Sequence, residues 1–276
     1  MTTLQRREAV NAFREVGVSE RQATKELGLP RSTCRHKSTR KDDSELRSKV
    51  VELASVRRRF GYRRITWLLQ REGLRINPKR VYRIYCEENL QVRKRKRKKL
   101  KVFRKPLIPV ERPNQRWSMD FVSDTIAIGR RFRTLNVIDD FTRECLAIEV
   151  AFNLPGERVT RVLNRLLFMH GKPEKIVLDN GPEFTGGAML KWSAENNIEL
   201  DFIRPGKPME NAICESFNGR FRDECLNETW FLDLEHAKGT IEEWRIDYNE
   251  ARPHGSLNQL TPTEYANSVK VEELSA

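Results

Sequence analysis

The sequence lacks the features that mark membrane-spanning, secreted and zinc-binding proteins. None of its apolar runs reaches the roughly 18 residues that a membrane-spanning helix needs, and the N-terminus, MTTLQRREAV, has no signal-peptide core. Its cysteines stand singly and its four histidines form no ligand-spaced pairs with them, which argues against a zinc-binding N-terminal module. We therefore expect free thiols and a reducing compartment, the cytoplasm. The cysteines are Cys34, Cys86, Cys145, Cys214 and Cys225.

Acidic residues are scarce in the first part of the chain. Residues 1–105 contain 32 Lys and Arg against 11 Asp and Glu, a net charge of +21, whereas the rest of the chain carries a net charge of −8. Residues 93–105, RKRKRKKLKVFRK, hold ten basic side chains and no acidic one. Such a run stays extended unless an anion neutralises it. We interpret residues 93–112 as a linker that follows DNA phosphates with steeply salt-dependent affinity; a localisation tract is the alternative.

Two helical segments are predicted before this linker. In residues 1–40, apolar spacing predicts helices over 8–16, 20–27 and 33–37, with Ser19 as an N-cap and glycines at the turns. Residues 41–92 repeat the arrangement, with helices predicted over 43–58, 65–72 and 79–88. Both segments are typical of helix-turn-helix units, although such units also make protein contacts and their basic side chains also occur on solvated helix faces.

Basic side chains in these segments are the predicted contacts to DNA phosphates or bases. They are Arg31 and Arg35 in the first segment, Arg63, Arg64, Lys79, Arg80 and Arg83 in the second, and Arg93, Lys94, Arg95, Lys96, Arg97, Lys98 and Lys99 in the linker.

Three carboxylates stand out in the acidic part of the chain. Asp120 lies in the strand-like run WSMDFV, and Asp179 ends the apolar run IVL before the break at NGP. Glu215 lies in a helix predicted over 211–226, with 35 residues between it and Asp179. Oxygen ligands without Cys or His suit Mg²⁺ or Mn²⁺. Two such cations about 3.5–4 Å apart can activate a nucleophile and stabilise a leaving oxygen at a phosphodiester.

Longer motifs carry a family resemblance: WSMDFV, VIDDFTRE, LDNGPEF, KPMENAICESFNGRFRDECLN and YNEARPHGSLNQLTPTEY. Over nearly the whole chain they resemble bacterial insertion-sequence transposases of the IS-three family (the OrfB product), within the retroviral-integrase-like DDE superfamily. The resemblance implies an α/β fold: an RNase H-like catalytic core with a mixed five-stranded sheet and a helical tail over 113–266, preceded by the all-α units. It also implies that Asp120, Asp179 and Glu215 form the acidic, Mg²⁺-binding catalytic triad.

The resemblance further implies a reaction and partners. Water activated at the metal site would hydrolyse a phosphodiester at the element end, and the freed 3′ hydroxyl would attack a second phosphodiester. The implied partners are the terminal inverted repeats, target DNA, a second copy of the chain on DNA, and an upstream open-reading-frame product to which family members are often fused. Action at the bacterial nucleoid follows. The alternatives are an RNase H-like nuclease and a DNA-binding regulator without activity; all three carboxylates are present, which argues against the regulator.

Within the core, strands are predicted over 116–122, 131–139, 144–151, 175–178 and 198–203, and helices over 156–170, 185–196, 211–226 and 234–248. This order is that of an RNase H-like core and places Asp120 and Asp179 on neighbouring strands. Asp139 and Asp140 also follow a strand, but we interpret them as a turn-capping pair instead of metal ligands.

A helical wheel separates the side chains around Glu215. At about 100° per residue, Glu215, Asn218 and Arg222 share the polar face of their helix. Glu210 is predicted to stand at the helix start without a catalytic role. For His254 a surface or packing role is predicted, and a DNA contact is the alternative. The DNA contacts predicted in the core are Lys207, Asn218 and Arg222.

Overall fold

The computed structural model describes residues 1–36, 43–92, 109–204 and 211–275, in two compact units, 1–49 and 50–276. The first unit contains α1 (Thr3–Glu15), α2 (Glu20–Glu26) and α3 (Arg31–Arg35). Their apolar faces enclose a small core of Val10, Ala23 and Leu29. The Ser19 hydroxyl accepts a hydrogen bond from the Gln22 amide at 3.3 Å, so the predicted N-cap is confirmed.

The next three helices form the second helical region. These are α4 (Ser44–Val56), which crosses the boundary between the units, α5 (Tyr62–Arg71) and α6 (Pro78–Glu87). Asn77 caps α6 by accepting from the Lys79 amide at 2.9 Å, and Pro78 occupies the first helical position, where its missing amide proton costs nothing. Ile65 and Leu69 of α5 are fully buried, as are Val81 and Ile84 of α6. The linker residues 93–108 lie outside the described residues.

A mixed five-stranded sheet forms the centre of the second unit. Its strands are β1 (Arg116–Thr125), β2 (Arg131–Asp139), β3 (Cys145–Ala151), β4 (Lys175–Leu178) and β5 (Glu199–Phe202), in the spatial order β3-β2-β1-β4-β5. The first three strands form an antiparallel meander, and β4 and β5 run parallel to β1. The predicted mixed sheet of an RNase H-like core is confirmed.

Helices cover both faces of this sheet because side chains alternate along each strand. From β1, Trp117 and Met119 join a core with α7 (Gly156–His170), α8 (Pro182–Thr185) and α9 (Gly187–Asn196). Val122 instead joins a second core with α10 (Ala212–Glu224) and α11 (Leu234–Glu250). The sheet is thus the middle of three layers.

Two features of the chain differ from the predicted elements or extend them. The helix predicted over 185–196 is α9, and the short helix α8 before it was not predicted; Gly186, in an extended conformation (ψ 157°), separates the two. After α11, a 3₁₀ turn at Gly255–Leu257 leads into α12 (Pro262–Ser275). None of the helices that the structure describes combines the length and apolar character needed to cross a membrane.

Candidate active site

Asp120 lies in the middle of β1, opposite Asn136 of β2. Its Oδ1 accepts from the Phe121 amide at 2.8 Å, and its Oδ2 accepts from Asn218 Nδ2 of α10 at 2.7 Å. Asn218 Oδ1 in turn accepts from Asn136 Nδ2 at 2.7 Å, and both asparagines are buried. A chain of two amides therefore holds the Asp120 carboxylate in one orientation.

Strand register brings Asp179 level with Asp120, at the end of the neighbouring strand β4. Ser118 of β1 pairs in parallel with Val177 of β4, and Asp120 and Asp179 each lie two residues further along. Asp179 follows the last residue of β4, and its Oδ1 accepts from the Gly181 amide at 3.0 Å. A Cβ built on Gly181 would lie 3.0 Å from that oxygen, so a glycine there lets the turn close tightly around the carboxylate.

Glu215 approaches from the first turn of α10 and is exposed to solvent. Burial raises the pKa of Asp120 to about 6, and the negative charges of Asp179 and Glu215 add to the rise, against the hydrogen bonds from Phe121 and Asn218. Asp179 and Glu215 are therefore close enough for their charges to act on Asp120. The predicted helix over 211–226 agrees with α10 to within two residues.

These three carboxylates fit a divalent cation by their chemistry. They are hard oxygen donors without Cys or His, the set that Mg²⁺ and Mn²⁺ prefer. A bound cation would also offset the negative charges of Asp179 and Glu215, which add to the rise that burial causes in the pKa of Asp120. Across residues 1–36, 43–92, 109–204 and 211–275, no three Asp, Glu, His or Cys side chains already stand in ligand geometry. The triad assignment stays a prediction, which rests on the register of β1 with β4 and on the charges of Asp179 and Glu215 near Asp120.

The neighbouring acids Asp139 and Asp140 have other partners. Asp139 Oδ1 accepts from the amides of Phe141 and Thr142, both at 2.8 Å, so the predicted turn-capping role is confirmed. Asp140 instead forms a buried ion pair with Arg116, so the predicted turn-capping role is wrong for this second residue of the pair.

The core DNA contacts predicted from the helical wheel have mixed outcomes. Asn218 is buried beneath Asp120, so its predicted contact with DNA is wrong; the wheel gave its angle but not the sheet that covers it. Arg222 is exposed and donates to the Ser123 carbonyl at 3.4 Å. His254 is buried with its ring edge-on to Tyr248, so of the predicted surface or packing role the packing role is the observed one, and burial lowers its pKa to about 2.

The DNA contacts predicted in the two helical regions have mixed outcomes as well. Arg31 and Arg35 bind Glu20 but stay half exposed. Arg64 donates to Glu224 of α10 at 2.9 Å, so its predicted DNA contact is wrong: its guanidinium faces the core. Arg63 and Lys79 are exposed, Arg80 is partly exposed, and Arg83 pairs with Glu87. Outside the described residues lie Arg93, Lys94, Arg95, Lys96, Arg97, Lys98, Lys99, Lys207 and Glu210.

Sequence reasoning missed Asn136, which supports Asp120 through Asn218. Its signal was an amide inside the otherwise apolar run TLNVI of a strand, where a buried polar group requires a partner. The register of β1 with β2 was needed to show that the partner leads to Asp120.

Comparisons with known proteins agree with this fold. Two integrase core domain families match residues 110–208 and 196–262, and an HTH-like domain family matches residues 41–98. The simian T-cell lymphotropic virus intasome, solved in complex with a PP2A regulatory subunit, aligns over 79% of this chain and 74% of its own at 16% identity, with a TM-score of 0.51. The fold is therefore that of an RNase H-like integrase core.

Curated relatives place the chain more narrowly. The 31.7 kDa protein of insertion element IS407 from Burkholderia multivorans is 47% identical over 93% of this chain and 94% of its own length. Transposase InsD of insertion element IS2 from Escherichia coli is 27% identical over 83% of this chain and 80% of its own. The chain belongs to the IS-three family of insertion-sequence transposases, within the retroviral-integrase-like superfamily. It is a DNA transposase.

Proposed function

We propose that this transposase cleaves and joins insertion-sequence ends by divalent-metal-dependent phosphoryl transfer, with Asp120, Asp179 and Glu215 as the metal-binding triad. The observation that carries the proposal is that Asp120 and Asp179 lie at matching positions along neighbouring parallel strands. Burial raises the pKa of Asp120 to about 6, and the charges of Asp179 and Glu215 add to the rise. Phosphoryl transfer requires little covalent chemistry from a protein, because positioning and charge stabilisation supply most of the catalysis. A triad held by two strands and one helix meets that requirement.

Each residue has a defined task in this proposal. Asp120, Asp179 and Glu215 hold the cations, and the Asn136–Asn218 pair keeps one Asp120 oxygen hydrogen-bonded so that the carboxylate cannot rotate. When bound, Mg²⁺ or Mn²⁺ would neutralise phosphate charge and lower the pKa of water.

The two reaction steps balance without any other reactant. In the first, a water oxygen attacks the phosphorus at the element end, the bond from that phosphorus to the 3′ oxygen breaks, and a free 3′ hydroxyl results. In the second, that hydroxyl attacks another phosphodiester and displaces its 3′ oxygen. We place this reaction on terminal inverted repeats and target DNA at the bacterial nucleoid, with a second copy of the chain pairing the two ends; an upstream open-reading-frame product is a further partner.

A cleavage and joining assay on labelled element ends, with and without Mg²⁺, tests the proposal. Asp120→Asn, Asp179→Asn and Glu215→Gln should each abolish both steps and leave end binding nearly unchanged, since each keeps the shape of the side chain and removes one charge. Asp124→Asn is the matched control, because Asp124 lies on β1 and caps only the following amide, that of Thr125; it should stay active. Substantial Mg²⁺-dependent activity in one of the three variants would remove that residue from the triad.

A further inference from the structure

Arginines of the second helical region bind the far end of the helix that carries Glu215. Arg64 of α5 donates to Glu224 at 2.9 Å, and Arg59, just before α5, forms an ion pair with Asp223. Asp223 and Glu224 are the last two residues of α10, and Glu215 lies in its first turn. Positive charge at a helix C-terminus is also favoured by the helix dipole.

Glu224 is the centre of a buried ionic cluster. Its carboxylate accepts from Arg64 and also from Arg252, through two hydrogen bonds of 2.6 and 2.8 Å. Its side chain is 10% exposed and that of Arg252 is 2% exposed. Burial raises the pKa of Glu224, but the hydrogen bonds and charges of Arg252 and Arg64 outweigh it and the net shift is downward. The carboxylate is therefore ionised and shared between the two arginines.

An aromatic ring further restricts the geometry of this cluster. The guanidinium carbons of Arg64, Arg57 and Arg252 lie 5.0, 5.6 and 5.8 Å from the centroid of the Phe60 ring. Arginine combines a planar hydrogen-bonding fork with cation–π attraction. The positions of Arg64 and Arg252 are thus set by both Phe60 and Glu224, and neither is a loose surface contact.

Directional contacts hold α10 at both ends. Cys214, Phe217 and Phe221 bury one face of α10, but hydrophobic contact is non-directional and restrains sliding along the axis weakly. Near Glu215, Asn211 Nδ2 donates to the Met119 carbonyl at 3.2 Å and Asn218 donates to Asp120 at 2.7 Å, so β1 holds the N-terminal half of the helix. The directional contacts at Glu224 lie about 14 Å along the helix from Glu215, at a rise of about 1.5 Å per residue. Because a helix is stiff, a shift at its last turn moves its first.

We infer that Arg64, with Arg59, is a positioning residue for cleavage: through Glu224 and Asp223 it holds the C-terminal end of α10, and together with the contacts of Asn211 and Asn218 to β1 it sets where Glu215 stands at the metal site. The inference rests on the proposed function. Arg64 then links the second helical region to the helix that carries Glu215, and it is not one of the residues that contact DNA.

Arg64→Met is the informative variant, because Glu224 keeps its two bonds to Arg252 and the protein should fold. Affinity for a labelled element end and the slope of affinity against salt should stay within twofold of wild type. The single-turnover cleavage rate at saturating DNA should fall about tenfold or more, since a misplacement of about 1 Å can cost a hundredfold. The Mg²⁺ concentration for half-maximal rate should rise, and added Mg²⁺ or the Arg64→Lys variant should restore part of the rate. A purely structural role would not shift the metal requirement.

Two arginines of the same helix serve as matched controls. Arg71→Met removes another ion pair of α5, to Glu264 outside α10, and should leave the cleavage rate and the metal requirement unchanged. Arg63→Met removes an exposed charge and should weaken end binding and lower the salt slope by about one with no change in the metal requirement. Should Arg64→Met fail to fold by circular dichroism, Arg59→Met, which leaves the Glu224 contacts in place, is expected to give the same rise in metal requirement.

The results distinguish a failure of the role inferred for Arg64 from a failure of the proposed function. If Arg64→Met weakened binding with a reduced salt slope and kept the saturated cleavage rate, Arg64 would be a DNA contact and the inference would be overturned. An unchanged rate and metal requirement would overturn it equally. If the wild type cleaves and Asp120→Asn does not, the proposed function holds whatever the result for Arg64→Met. If the wild type is inactive with Mg²⁺, the result counts against the proposed function and not against the role of Arg64 alone.

Discussion

The two helical regions carry arginines in similar local settings but use them differently. In the first, Arg31 and Arg35 bind Glu20 of the same three-helix unit, and their side chains remain 49% and 61% exposed. In the second, Arg57 and Arg64 bind acids 190 and 160 residues further along the chain. The same helix-turn-helix pattern is predicted for the two regions, whereas the partners of their arginines differ.

The difference shows how charge asymmetry along the chain serves two purposes. The first 105 residues carry +21 and the remainder −8, a pattern that indicates nucleic-acid binding. Part of that charge is nevertheless used inside the protein, since acids of the negative part pair with arginines of the positive part. An arginine in a helix-turn-helix arrangement is therefore a DNA contact only when its guanidinium faces solvent.

Glu224→Gln should produce the largest difference between the two regions. It leaves Arg64 and Arg252 without a counter-charge in a buried site, and breaking a buried ion pair costs about 3–5 kcal/mol. Urea unfolding followed by circular dichroism measures the loss. The matched variant Glu20→Gln, in the first region, should change stability little because its partners remain hydrated. Equal losses in the two variants would show that burial does not distinguish the regions.

The second prediction concerns the pH dependence of the same carboxylate. The arginines lower the pKa of Glu224 in the folded state below its ordinary value of 4.5, so its stabilising contribution is present above pH 4.5 and is lost as the pH falls through the folded pKa. Wild type and Glu224→Gln should therefore converge in stability as the pH falls from about 5 towards 3. Melting temperatures at several pH values test this, and a difference between the two proteins that stays constant over that range would contradict it.

A third prediction concerns the exposed arginines of the first region. Arg31→Met and Arg35→Met should each weaken binding to DNA and lower the slope of log affinity against log salt by about 0.9, the value for one lost phosphate contact. Fluorescence anisotropy between about 50 and 200 mM salt measures both. Arg57→Met should leave the slope unchanged, because Asp247 already binds that guanidinium. A slope that fell for Arg57→Met and not for the other two would reverse the comparison.

Sequence reasoning succeeded where the determining interactions are local. The strand carrying Asp120, the strand end at Asp179 and the Asx turn at Asp139 each depend on neighbouring residues, and each was predicted. The helical wheel likewise gave the apolar stripe of α10. The strand order, and the placing of Asp120 and Asp179 on neighbouring strands, came from the family resemblance. The structure and the comparisons support that resemblance.

The errors arose where a partner comes from a distant part of the chain. Asn218 was predicted on the polar face of α10, but β1 and β2 pass over that position and bury it against Asp120 and Asn136. Arg64 was predicted to meet DNA because nothing local shows that Glu224 and Arg252 will surround it. Both side chains satisfy buried polar groups, and the location of those groups depends on tertiary packing.

The smallest effect is expected at Arg71 and sharpens the comparison within the second region itself. Arg71 and Glu264 are 38% and 40% exposed, and exposed ion pairs contribute about 0–1 kcal/mol. Glu264 also has a second partner, since it accepts from the Thr261 amide at 2.9 Å while its own amide donates to the Thr261 hydroxyl at 3.2 Å.

Arg71→Met should therefore cost less than about 1 kcal/mol of unfolding free energy, and less again at high salt. Thr261→Ala removes the hydroxyl that accepts from the Glu264 amide and should cost about 1 kcal/mol, so it calibrates the same urea measurement. If Arg71→Met instead destabilised the protein as much as Glu224→Gln, the long-range partner alone, and not the burial of the pair, would set the arginines of the second region apart from those of the first.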